Sequence, residues 1–292
     1  MDKKKLIYSI CGVLIVLVAI FMVLNLKDNK KNKGKEVYTS DIKKTKEDSS
    51  NKTNNNSQFF RFLDDGTTIS GLTEEGRKQT TLVIPKQAKS LRGLDLDNSV
   101  VEEVRFEADH DVNLESAFTT AKTLKKVTLP AELSVIPYLA FGSCEGLESI
   151  VIPAGVTKID EYAFDCCSNL KEVIFSGTKC EYIGEYAFDL CKSLEKITLP
   201  EGLKTIDKCA FFDCESLNTV TFPSTIQSIG TYAFNVRNIS SAHFAPNTQN
   251  IKIESMAFGI RTSQMTVYIR QGSWMDKNRD AWNVGFTNIK YE

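Results

Sequence analysis

Seven Ala-Phe pairs recur along this chain, at Ala117-Phe118, Ala140-Phe141, Ala163-Phe164, Ala187-Phe188, Ala210-Phe211, Ala233-Phe234 and Ala257-Phe258. Successive pairs lie 23, 23, 24, 23, 23 and 24 residues apart. This period constrains the fold more than any single residue does. A unit so short cannot bury its own apolar face and must stack on its neighbours. The expected architecture is a solenoid. Solenoids display surface, so the default expectation is a binding or scaffolding module rather than an enzyme.

One unit, residues 147–169, reads LESIVIPAGVTKIDEYAFDCCSN. Its first part, Leu147, Ile150, Ile152 and Pro153, recurs as Leu124/Val127/Leu129/Pro130, Leu170/Val173/Phe175, Leu194/Ile197/Leu199/Pro200 and Leu217/Val220/Phe222/Pro223. Such alternation predicts a strand with its apolar positions on one face. Proline ends it, having no amide hydrogen for a continuing ladder. The central positions Leu82, Val104, Val127, Ile150, Val173, Ile197, Val220, Ala242 and Val267 predict about nine parallel strands in one curved sheet. After Phe234 the strands read as irregular (Ile239/Ala242, then Gln264/Val267). An inward column follows each turn: Ile136, Ile159, Ile183, Ile206, Ile229 and Ile253. Ala-Phe then sits in a short helical or irregular turn. Alanine is small where coils pack closely, and phenylalanine fills the interior.

The ends need caps, because open strand edges invite aggregation. Residues 59–80 predict an N-terminal cap, with a hairpin from Phe59-Phe60-Arg61-Phe62 through Asp64-Asp65-Gly66 to Thr67-Thr68-Ile69. Residues 273–292 break the period and predict the other cap, with Trp274 and Trp282 as packing residues.

Three residues after four of the phenylalanines stand Cys144, Cys167, Cys191 and Cys214. A ladder with that spacing is not a zinc pattern, which needs four ligands converging on one point. Buried free thiols are expected. Cys180 falls in the inward Val156/Leu203/Ile226 column and reads as core. Cys209 replaces the Tyr162/Tyr186/Tyr232 column, where partial exposure is expected.

The other end of the chain differs in kind. Leu6 to Leu26 is a run of 21 residues without a charge. That is long enough to span a bilayer, and longer than a signal-peptide core, with no small-residue cleavage site. Residues 1–26 therefore read as a transmembrane signal anchor, inserted through residues 6–26. Residues 27–58 form a Lys/Asn/Ser-rich linker with too little apolar surface to fold, so disorder is expected. Lysines flank both ends of the span and give no clear cytoplasmic side. A short basic N-terminus before one uncleaved span favours an extracellular C-terminal domain on a single-pass cell-membrane protein. From Lys27 to Ser57 nine lysines face five acidic residues, a net +4; from Phe59 onward 24 lysines and arginines face 31 acidic residues, a net −7. An acidic body without basic stripes argues against a nucleic-acid partner.

No chemistry-bearing motif interrupts the repeats. The chain has two histidines, His110 in an Asp109-His110-Asp111 loop and His243 at an outward strand position. There is no G-x-S-x-G, H-E-x-x-H or phosphate-loop pattern. No catalytic residue, metal ligand set or cofactor is expected. The concave strand face is the expected contact surface. Its candidate residues are Arg105, Lys126, Val151, Glu172, Ile174, Lys196, His243 and Tyr268, within a Thr/Ser-rich strip. Val151 and Ile174 are apolar at solvent positions. They fit a contact patch or simple β-propensity, and the sequence leaves both open.

Units of the form L-x-x-V-x-L-P … I-x-x-x-A-F-x-x-C resemble the leucine-rich repeats of the BspA-like family, also called the Treponema pallidum type. The resemblance covers residues 59–292 and rests on Ala-Phe, the following cysteine and the strand-ending proline recurring together. It implies a leucine-rich repeat solenoid, β-rich with parallel strands and short helical or irregular turns. It also implies a surface protein, since several members bind host or microbial partners. It carries over no catalytic residues. Units after Phe234 depart from it by losing the cysteine. The leading expectation is a membrane-anchored, surface-facing protein that binds a protein or glycan without catalysis. The alternative is a membrane-proximal envelope scaffold organising other membrane proteins, which the short linker favours.

Overall fold

Alternation along each repeat decides which side chains turn inward, and the computed structural model, which describes residues 56–92 and 94–292, follows it closely. The expected anchor (1–26) and all but the last three residues of the expected linker (27–58) lie outside the described residues. Among the described residues no helix is long and apolar enough to cross a membrane. What is described belongs to one unit, Thr53–Glu292.

The nine expected strands are present: β3 (Thr81–Ile84), β5 (Glu103–Phe106), β6 (Lys126–Thr128), β8 (Ser149–Ile152), β10 (Glu172–Phe175), β12 (Lys196–Ile197), β14 (Thr219–Phe222), β16 (Ser241–Phe244) and β18 (Thr266–Ile269). Neighbours pair in parallel, as in Val173 against Ile150 and Ile197. All nine central residues are buried. Strands β16 and β18 are regular, in register at Ala242 and Val267, so the irregularity expected after Phe234 is absent there.

Two features differ from expectation. The ladder is not one sheet: pairing lapses after β6 and again after β12. Both lapses follow the same residues, Thr128-Leu129-Pro130 and Thr198-Leu199-Pro200, whereas β8, β10 and β14 run on through Ile152, Phe175 and Phe222. Leucine suits the pleated surface less well than a β-branched or aromatic residue, and the strands there shorten to three and two residues. The second difference lies in the C-terminal cap. It contributes β19 (Asn288–Tyr291), which pairs in parallel with β18 and puts Ile289 against Val267.

The isoleucine column builds a second parallel sheet: β7 (Val135–Ile136), β9 (Lys158–Ile159), β11 (Tyr182–Ile183), β13 (Thr205–Ile206), β15 (Ser228–Ile229) and β17 (Lys252–Ile253). Two-residue strands are too short to show alternation, so the sequence reveals only their inward isoleucines.

Each Ala-Phe pair lies in a turn that is itself laddered. The Phe164 N–H donates to the Ala187 carbonyl of the next coil at 2.8 Å, and the same bond recurs from Phe118 to Phe234 at 2.7–2.9 Å. Alanine permits that approach. The residue before each pair is left-handed, for example Tyr162 at φ 56° and Cys209 at φ 55°, a conformation uncommon outside glycine. From Phe118 to Phe258 the rings stack, with centroids 5.0 Å apart and planes 2–3° apart around Phe164. The cysteines lie beside this stack. Each Sγ of Cys144, Cys167, Cys191 and Cys214 donates to a phenylalanine carbonyl of the preceding coil, at 2.9–3.2 Å.

The N-terminal cap is the expected hairpin. Strand β1 (Phe60–Phe62) runs antiparallel to β2 (Thr68–Leu72), and β4 (Ser90–Leu91) joins β2 in parallel. Asp65 ties the turn by accepting from the Thr67 and Thr68 amides, each at 2.7 Å. At the other end Trp282 is buried and donates to the Met275 carbonyl at 2.8 Å, while Trp274 is partly buried.

Candidate partner-binding face

Strand alternation turns two columns of side chains away from the core. One runs from Glu103 through Lys126 and Glu172 to Thr266, the other from Arg105 through Val151 and Ile174 to Tyr268. The eight candidate residues fall into four neighbouring pairs on this face and do not converge on a pocket.

Arg105 and Lys126 both reach Glu103, at 2.9 and 3.1 Å. Hydrogen bonds from these two cations hold the Glu103 carboxyl below the usual carboxylate range. Val151 and Ile174 stand directly opposite one another, 49% and 43% exposed. Glu172 is in register with Lys196. The His243 and Tyr268 rings stack at 4.3 Å, and His243 Nδ1 lies 3.1 Å from the Glu292 carboxylate. Beside that pair, Thr219 Oγ1 lies 2.9 Å from Ser241 Oγ, and Asn288 Nδ2 donates to Thr266 Oγ1 at 2.7 Å. The face thus grades from charged, through aliphatic, to hydroxyl, amide and aromatic.

The sequence missed two parts of this surface. Glu292 reaches it from the cap, and alternation across the final N-I-K-Y segment is the signal that β19 belongs to the ladder. A groove of about 460 Å³ opens where pairing lapses between β12 and β14, lined in part by Phe175, Thr198, Pro200, Thr221, Pro223 and Ala245. Nothing periodic announces it.

The cysteines lie away from this face. Burial pushes the Cys144, Cys191 and Cys214 thiols well above their ordinary range. Cys180 is core, as expected. Cys209 corrects an expectation: it is only 4% exposed, more buried than the tyrosines of its column, and burial raises its pKa to about 11. Among the described residues no group of three or more His, Cys, Asp or Glu side chains is arranged to hold a metal ion.

A family model described as a BspA type leucine rich repeat region, in six copies, matches residues 96–180 and 166–271. The chain belongs to this family. Solved structures to which the chain is similar include a leucine-rich repeat protein from Bacteroides ovatus, 19% identical over 80% of this chain and 74% of that one, with a TM-score of 0.50. The T. pallidum leucine rich repeat protein is 24% identical over 81% of this chain and 96% of its own, with a TM-score of 0.45. A leucine rich cell surface protein from Faecalibacterium prausnitzii is 18% identical over 80% and 92%, with a TM-score of 0.37. No curated protein matches the chain. In this BspA-type chain the central strand residues, the Ala-Phe pairs and the cysteines after them are buried, and the outward columns lie outside the core.

Proposed function

We propose that this chain is a non-catalytic recognition protein that binds a protein or glycan partner across its outward strand face, held at the outer side of a membrane by residues 6–26. The supporting observation is the second outward column. From Thr128 to Tyr268 it carries no acidic residue, lysine or arginine, and it holds Val151 and Ile174 exposed on a surface that nothing in the unit covers. Exposed apolar neighbours rimmed by polar groups fit a contact surface. The flanking Glu172 and Lys196 would set orientation more than affinity.

Photo-crosslinking in intact cells tests this reading. A crosslinking residue at position 151 or 174 is expected to give discrete adducts, absent when it replaces Glu145 on another side of the coil. Equal labelling at all three positions, or none, would reject the strand face as the binding surface. Protease added to intact cells tests the orientation: the repeats are expected to be cut without lysis.

A further inference from the structure

The residue after each Ala-Phe pair is uncharged in five coils: Thr119, Gly142, Phe212, Asn235 and Gly259. In the two central coils it is Asp165 and Asp189, 2% and 6% exposed. These coils are bonded directly at this point, the Cys166 N–H donating to the Asp189 carbonyl at 2.8 Å. The Asp165 carboxyl accepts from the Cys166 thiol at 3.4 Å. The Asp189 Oδ1 is buried and has no hydrogen-bond partner among the described residues. A buried carboxyl left in that state favours its neutral form.

The described neighbours that bear on the two carboxyls are thiols, phenols and further carboxyls. Asp165 faces Cys166 on its own coil, Tyr138 on the preceding coil, Tyr162, and Cys191 on the following coil. Asp189 faces Asp165 and Cys166 on one side and Asp213, Cys209 and Cys214 on the other. Lys208, on that following coil, is engaged by Glu185 at 2.6 Å. No lysine, arginine or histidine forms an ion pair with either carboxyl among the described residues.

We infer that Asp165 and Asp189 form a proton-dependent joint in the middle of the solenoid, closed while the pair is protonated and loosened once both carboxyls are ionised. Burial moves Asp165 to about 6, and burial with the charges of Asp165 and Asp213 moves Asp189 to about 8. Both values lie above the ordinary 3.8. The stabilisation is therefore complete below that ordinary value and is lost as pH rises through about 6 and then about 8. Loosening belongs in the two turns that carry the pair. Cys166 and Leu190 are left-handed there, at φ 59° and 56°, as Ser143 and Asp213 are in the neighbouring coils, so the buried carboxyls rather than backbone strain single these turns out.

The test uses the full chain in non-ionic detergent, with thermal unfolding followed from about pH 5 to about pH 9. The wild-type midpoint is expected to fall across that range, with hydrogen exchange rising first in residues 162–168 and 186–192. Asp189→Asn, isosteric and uncharged, is expected to flatten most of the fall. An unchanged slope in Asp189→Asn overturns the inference. Infrared spectroscopy of the wild type stands independently of any variant: a protonated-carboxyl band is expected at neutral pH and should vanish at alkaline pH. Its absence at neutral pH also overturns the inference. So does calcium or manganese raising the wild-type midpoint at alkaline pH but not that of Asp189→Asn, because the pair would then be a cation site.

Discussion

Phe164 has identical neighbours on both sides, with the Phe141 and Phe188 rings each 5.0 Å away and almost parallel. It is completely buried, so truncation removes apolar contact on two faces at once, and the main-chain bond between Phe164 N–H and Ala187 prevents the coils from collapsing into the gap. Phe164→Ala is expected to cost about 3–5 kcal/mol. Denaturant unfolding checks it, and a loss under about 1 kcal/mol would mean that the ring column is not core. The thiols show what a residue pattern leaves out. Their column and burial are legible from spacing. Their bonds to the phenylalanine carbonyls are not, because spacing does not say which coil a side chain leans toward.

Among the elements, the turn between β12 and β13 is tightest at Gly202. Its φ is +119°, and a Cβ there would stand 1.9 Å from the Thr178 carbonyl oxygen. Gly202→Ala is therefore expected to destabilise by more than about 1 kcal/mol, read as a lower urea midpoint. A midpoint within error of the wild type would show that the turn relaxes freely. Inter-coil ion pairs such as Lys171–Glu148 and Lys204–Glu181 lie 23 residues apart and mark the register from outside. Being exposed, each contributes only about 0.2–1 kcal/mol.

This is also the scale at which the sequence reads best and then fails. The nine parallel strands centred on Leu82 through Val267 were legible because stacking gives equivalent positions equivalent surroundings, so Val104 and Val220 meet the same demand. What belongs to one coil alone was not legible. The lapses at Leu129 and Leu199, the strand β19 outside the period, and the carboxyls of Asp165 and Asp189 each depend on a local departure. The candidate face was legible as a direction, since alternation fixes which side chains turn outward. The stacking of His243 on Tyr268 and the groove beside Pro200 depend on distances that no pattern encodes.

In the molecule as a whole, the stack of coils has to be closed at its ends. At the C-terminal end the Trp282 ring packs on Phe244 and the Phe286 ring on Phe258, while β19 covers the edge of β18. Truncation after Gly272 would uncover those rings and an unpaired strand edge together. It is expected to lower the unfolding midpoint by several degrees and to raise light scattering at concentrations where the full chain stays clear. Unchanged scattering would mean that the last coil already closes the stack.

Between Phe175 and Tyr182 the chain takes up one additional residue: Phe175 pairs 23 positions from Ile152, but Ile183 pairs 24 positions from Ile159. The loop Ser176-Gly177-Thr178-Lys179, which begins where five other coils have proline, absorbs the difference. Heritable change in such a chain is consequently quantised. Whole cassettes can be duplicated or deleted with the same strand and ring contacts re-formed at the new junction, and one extra residue is accommodated at a corner like this one. A single residue added inside an Ala-Phe turn would instead displace that coil's own ring from between its two neighbours.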